Sequence, residues 1–314
     1  MGRIMKSGQR KLPGGVWSAA PTPFTRDMDV DEVAVRRMVE QHVRLGVQGL
    51  FLAGTNGEGP WMTDGQRWTL VKAVAKCNRG RMPIAVQVTD NSAARVLENM
   101  GMARQCGADV AVIAPPYMMC NITPATVRSH YVEAIRRSPL PVGIYDRGKF
   151  GAVVVPDDVL AAIYREPNVV MIKDSSTEPA RMRIALEVKR RRPGLVLLNG
   201  SEFNCISYLQ AGYDGLLLGG GVFNGRMAGL IVEAVCAGRL AEAERMQKRM
   251  NRVMYAVYGG KKIACWLSGE KKLLVEMGVF RTWRNYPDYP LSRPCVRAIR
   301  QVMKTERKFL CPDS

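Results

Sequence analysis

A lysine that ends a buried apolar run is the most informative side chain in this sequence. Lys173 directly follows Val169-Val170-Met171-Ile172, a placement that strips water from an amine and favours its neutral form. A neutral lysine amine attacks carbonyls to make a Schiff base. Position alone is equally compatible with a lysine that caps the strand and pairs with Asp174. Tyr145 ends the preceding run, Val142-Gly143-Ile144, so adjacent strands deliver either a phenol beside the amine or a tyrosine packed for its ring. A phenol within hydrogen-bond reach can move the proton that carbinolamine dehydration requires. Thr55 adds a hydroxyl relay. The backbone amides of Gly54-Thr55-Asn56-Gly57 suit a carboxylate, although tight strand-to-helix turns also use glycines for geometry alone.

Positioning these groups requires strands, and the apolar, β-branched runs recur at 16–23, 49–54, 83–88, 109–115, 141–145, 169–173, 195–200 and 214–220. Each is followed by an amphipathic stretch, and their starts lie about 19 to 34 residues apart, one strand-helix unit each. Helix punctuation agrees. Asp29 with Glu32 and Thr63 with Gln66 have capping-box spacing, Thr123-Pro124 opens a helix, and Gly46, Gly107 and Gly212 stand at helix exits. Eight units predict an α/β fold, a closed (β/α)8 TIM barrel, rather than a doubly wound sheet, since the first loop, Ala19-Ala20-Pro21-Thr22-Pro23, is not glycine-rich. The expected organisation is a basic tail over 1–13, the barrel over 14–224, a C-terminal helical appendage packed on it over 225–306, and a frayed tail over 307–314. Active sites of such barrels form at the C-terminal strand ends. That selects Lys173, Tyr145, Thr55, Asn56 and Gly57, with Thr89, Tyr117, Gly200 and Gly220 at the remaining ends.

Composition removes several other chemistries. The eight cysteines are scattered without a CxxC pair and there are two histidines, His42 and His130, both in helical runs, so neither a zinc site nor a histidine-based triad is expected. No cofactor is implied. No apolar run approaches membrane-helix length, and position 6 is Lys6 where a myristoylation motif needs Ser or Thr, so a cytoplasmic location is expected. Forty-six basic against 28 acidic residues give +18, but no basic motif interleaved with aromatics accompanies the charge, which reads as a solvated exterior and not a nucleic-acid surface.

The run GTNGE at 54–58, Pro-Pro-Tyr ending at Tyr117, the strand-terminal Tyr145 and IKDSS at 172–176 resemble the dihydrodipicolinate synthase and N-acetylneuraminate lyase superfamily of pyruvate-type class I aldolases. The similarity covers roughly residues 14 to 300. It implies that Lys173 forms the Schiff base with a 2-oxo acid, Tyr145 is the acid-base residue, Thr55 relays its proton and Asn56 helps hold the substrate carboxylate. It also implies a homotetramer in which Tyr117 reaches across a dimer interface into the neighbouring site. Two departures bear on the substrate. Asn56 stands where many members have a second Thr, and an Asn there is more similar to 4-hydroxy-2-oxoglutarate aldolase relatives, while Tyr145-Asp146-Arg147-Gly148-Lys149-Phe150-Gly151 replaces the family's Tyr-Asn-x-Pro segment. Arg147 or Lys149 is expected to bind an acidic or polyhydroxylated substrate end. The function expected is an aldolase or lyase acting on pyruvate or a 2-keto-3-deoxy acid; a dehydratase of a 2-keto-3-deoxy sugar acid and a catalytically silent binding barrel are the alternatives.

Overall fold

The computed structural model describes residues 12–312, so most of the basic segment 1–13 lies outside the described residues. Eight parallel strands close in sequence order: β1 (Gly15–Ala19), β2 (Gly49–Leu52), β3 (Ile84–Gln87), β4 (Val110–Ile113), β5 (Val142–Asp146), β6 (Val169–Asp174), β7 (Val196–Asn199) and β8 (Gly215–Leu218), with β8 pairing back onto β1. Each strand is followed by a helix: α1 (Glu32–Arg44), α2 (Asp64–Asn78), α3 (Ala93–Gln105), α4 (Pro124–Arg137), α5 (Asp157–Arg165), α6 (Pro179–Arg191), α7 (Ile206–Ala211) and α8 (Gly221–Cys236). This is the expected (β/α)8 barrel. Because side chains alternate along a strand, Met171 and Lys173 point into the barrel while Ile172 packs outward beneath the helices.

The helix starts follow local chemistry. Thr63 and Gln66 form the expected capping box, and Thr123 caps α4 with Pro124 in its first turn. The expected Asp29 cap is not used. Residues 24–30 fold into a small bridge between Phe24 and Val30, Asp29 N–H bonds Thr25, and α1 starts later with Asp31 accepting from Ala34 N–H at 3.1 Å. Gly46, Gly107 and Gly212 adopt left-handed backbone at their helix exits, with φ of 72°, 96° and 108°.

Beyond the barrel lie α9 (Leu240–Val257), α10 (Trp266–Glu276), α11 (Arg293–Thr305) and α12 (Arg307–Leu310). The boundary expected at 224 falls inside α8, which packs on β1 and belongs to the barrel because it supplies the eighth cover over the closing seam. The tail expected from 307 is instead a helical turn. Leu310 is fully buried, and its carbonyl accepts from Gln41 Nε2 at 2.6 Å. No helix of the described residues is long and apolar enough to cross a membrane.

Candidate active site

The segment after β2 turns sharply over the barrel mouth. Two non-glycine residues, Ala53 and Glu58, take left-handed backbone (φ 53° and 62°), a strain that persists where surrounding contacts enforce it. Those contacts are visible. A Cβ at Gly59 would overlap the Ala53 carbonyl oxygen, so only glycine allows this close backbone approach, and the Gly57 carbonyl accepts from Thr22 Oγ1 at 2.6 Å. Glu58 is wholly buried, ion-paired with the equally buried Lys271 of α10, and accepts from Tyr286 N–H at 2.7 Å. Burial pushes Glu58 up and Lys271 down, and each partner opposes the shift in the other. Asn56 does not point its amide at a substrate carboxylate as expected. Its Nδ2 is occupied by Ala19 O at 2.8 Å, Glu270 Oε1 at 3.2 Å and Gly219 O at 3.3 Å, so the side chain ties the turn to β1, β8 and α10.

Lys173 and Tyr145 meet as the sequence suggests. A register shift between Val142 and Gly143 sets Tyr145 opposite Lys173 on the neighbouring strand. Lys173 Nζ lies 4.1 Å from the Tyr145 ring centre and 4.8 Å from that of Phe51, and the lysine is 6% exposed. The strand-capping alternative fails because Asp174 faces the other side of β6. There it accepts from Ser176 N–H at 2.9 Å, Ser176 Oγ at 2.7 Å and the Tyr213 hydroxyl at 2.7 Å. Tyr145 is packed edge-on against Phe51, and its phenol feels Ser175 and Thr55 as well as the lysine. Gly200 provides the room. A Cβ there would overlap Ser175 Oγ and come within 3.1 Å of Lys173 Cε.

The electrostatics suit a nucleophile and its proton partner. Burial draws the Lys173 amine below its ordinary value and Arg147 acts in the same sense, against Tyr145 and Glu202. Burial raises the Tyr145 phenol, but Lys173, Arg147 and the Ser175 and Thr55 hydrogen bonds outweigh it and leave the phenol below its ordinary value. Arg147 stands beside this pair, with its guanidinium carbon 6.0 Å from the Tyr145 ring centre. Lys149 does not. One turn of 3-10 helix over Gly148–Phe150 carries it to the exposed surface, above Phe150.

Tyr117 sits at the rim with its ring 40% exposed, and its hydroxyl accepts from Gln87 Nε2 at 2.8 Å. The N–H of Gly220 is occupied by Glu202 Oε2 at 2.8 Å. Thr89, another strand-end candidate, donates nothing to the mouth: its Oγ1 accepts from Ala114 N–H and joins β3 to β4. Both histidines are buried in helices. His42 bonds Met38 O and Ser18 Oγ, and burial lowers it to about 4.

Sequence reasoning missed Ser175, Gln87, Glu202 and Tyr258. Ser175 lies two residues beyond Lys173 and shares its face, a signal that strand periodicity contains. Tyr258 reaches the site from the end of α9, 56 residues from Glu202, and nothing local announces it.

Residues 12–302 match the family described as the Dihydrodipicolinate synthetase family. A 4-hydroxy-tetrahydrodipicolinate synthase of Xanthomonas axonopodis pv. citri is 33% identical over 65% of this chain and 66% of that protein. An N-acetylneuraminate lyase of Rhizobium meliloti is 26% identical over 95% of this chain and 94% of its own length. Among solved structures, the dihydrodipicolinate synthase of Thermotoga maritima shares the fold with a TM-score of 0.85 and 24% identity, covering 95% of this chain and 100% of that one. With the strand-end lysine, the phenol beside it and a match across nearly its whole length, the chain belongs to the dihydrodipicolinate synthetase family, a family of lysine Schiff-base aldolases and lyases.

Proposed function

We propose that Lys173 forms an imine with pyruvate or a 2-keto-3-deoxy acid and that the chain makes or cleaves the carbon-carbon bond next to it. The observation that carries this reading is a buried amine 4.1 Å from the ring centre of a tyrosine that stands opposite it on the neighbouring strand. Lys173 Nζ attacks the 2-oxo carbon to give a carbinolamine. Tyr145 gives its proton to the departing hydroxyl, which leaves as water, and the phenolate then takes a C3 proton to form the enamine. In the cleavage direction, the same imine accepts the electron pair of the breaking C3–C4 bond. Backbone amides of the turn after β2 hold the substrate carboxylate, since the Asn56 side chain is already engaged.

Borohydride added with pyruvate should inactivate the enzyme and leave a reduced adduct on the peptide containing Lys173. A panel of 2-keto-3-deoxy acids then separates the chemistries: pyruvate plus an aldehyde marks a lyase, and a product with its carbon chain whole marks a dehydratase. An adduct on a different lysine, or none with any 2-oxo acid, leaves a binding barrel.

Arg147 selects the distal end of the acceptor. Arg147→Ala should raise KM for an acidic or polyhydroxylated acceptor on the order of tenfold, the scale of one charged hydrogen bond, while Lys149→Ala should leave it unchanged. Equal effects of the two substitutions would remove this role.

The chain assembles as a homotetramer built from two dimers, with Tyr117 placed at a neighbour's site. Support comes from the apolar rim around it, where Met118 is 65% and Ile122 44% exposed. Sedimentation should show the tetramer, and Tyr117→Phe should lower turnover. A monomer with full activity would overturn this assembly role.

A further inference from the structure

The loop after β7 brings a carboxylate to the nucleophile. Gly200 leaves the space beside Lys173, and two residues later Glu202 reaches across to the end of β8. Its Oε2 accepts from Gly220 N–H at 2.8 Å and its Oε1 from the Tyr258 hydroxyl at 3.0 Å. A Cβ at Gly219 would stand 3.6 Å from both oxygens, ordinary contact that closes the third side. The Glu202 carbonyl also accepts from Gln247 Nε2 of α9 at 3.1 Å, fixing the backbone that carries the side chain. This is a half-buried carboxylate with two donors from two different elements. Among the described residues, Lys173 is a cation that acts on this carboxylate, and Glu202 acts on Lys173 in return.

We propose that Glu202 is the counter-charge of the Schiff base: held by Gly220 and Tyr258, its carboxylate offsets the positive iminium formed on Lys173 Nζ. The inference rests on the imine chemistry proposed above. Dehydration of the carbinolamine converts a neutral amine adduct and a neutral phenol into an iminium cation and a phenolate, with release of water. Tyr145 changes charge at each proton transfer of the cycle. Glu202 forms no bond and moves no proton, so it is a positioning residue acting through Lys173. A cation in so dry a site needs a nearby anion, because water cannot screen it. The groups facing Lys173 are Tyr145, Arg147 and Glu202; those facing Glu202 are Lys173, Tyr258, Glu270 of α10 and Cys205 of its own segment. Burial holds the Glu202 carboxyl above its ordinary value, and Gly220, Tyr258 and the charge on Lys173 act against that shift, so the acid ionises most readily when the Lys173 nitrogen is charged.

The test uses pyruvate alone and follows exchange of its methyl hydrogens for deuterium, which requires imine and enamine but no acceptor. In the intact enzyme kcat/KM for exchange rises with pH as Lys173 loses its proton. Glu202→Gln removes the anion that favours the ammonium, so the rising limb should move down by about one pH unit, the lower end of the effect of an opposite charge at close range. The destabilised iminium should cost roughly tenfold in kcat, one pKa unit and one decade being the same free energy. Glu202→Asp should return the limb toward its original position. If Glu202→Gln does not fold, Tyr258→Phe, which removes one donor from the carboxylate, should move the limb in the same direction by less. A Lys173 adduct in the unaltered enzyme, with a limb that neither substitution moves, would overturn the counter-charge. Absence of that adduct would overturn the imine reading itself.

Discussion

Lys173→Ala is expected to reduce turnover to the uncatalysed level and to abolish the borohydride adduct at the same time. Among the described residues no other buried amine can substitute. Lys271, the fully buried lysine of α10, is ion-paired with Glu58 and donates to Arg284 O at 2.8 Å, so its nitrogen is committed to structure. Loss of activity from misfolding is separable. Lys173→Met keeps most of the side-chain volume and removes an amine whose burial between Phe51 and Tyr145 costs free energy, so this variant should melt at the same or a higher temperature than the parent while remaining inactive. Residual turnover above background in either variant, measured with the best 2-keto-3-deoxy acid, would place the nucleophile elsewhere.

Tyr145→Phe should keep substrate binding and lose the proton traffic. The ring remains, and with it the edge-on contact to Phe51 at 5.9 Å; the hydroxyl disappears. Trapping of pyruvate on Lys173 should slow, because the phenol that protonates the departing hydroxyl is gone, and methyl exchange should fall on the order of 10²-fold or more, the usual contribution of a positioned acid-base group. The pH profile should move too. Tyr145 favours the charged form of Lys173, so its loss lowers the lysine further and displaces the rising limb to lower pH. Exchange within a few-fold of the parent would transfer the proton role to Thr55 or Ser175.

The barrel and its catalytic pair were legible because both depend on short-range pattern. Runs of β-branched residues at regular spacing mark strands, and a polar residue that stops such a run marks a strand end facing the mouth. Other parts depend on contacts that spacing does not encode. Lys149 looked equivalent to Arg147 until the tight turn over Gly148–Phe150 turned one outward. Asn56 lies in the right turn, but partners on β1, β8 and α10 take its amide. Ser268-Gly269-Glu270-Lys271 is a polar stretch of α10, yet all four residues are buried, and Glu58 and Asn56 meet Lys271 and Glu270 from the barrel. The end of the barrel was misplaced for a related reason: α8 and α9 are both long and amphipathic, and only closure of β8 on β1 assigns the first to the barrel.

The left-handed turn at Glu58 has a consequence for the newborn chain. Its carboxylate is satisfied by Lys271 and by the backbone of Tyr286, the latter 228 residues further along. A ribosome delivers the eight strands long before those partners, and domains take shape as units in the order of their synthesis. During that interval Glu58 has no cation to meet, the backbone strain at Ala53 and Glu58 has nothing to enforce it, and Thr55 has no fixed place beside Tyr145. The nucleophile is thus translated well ahead of the contacts that arm it, and a prematurely released fragment would carry Lys173 without a working site around it.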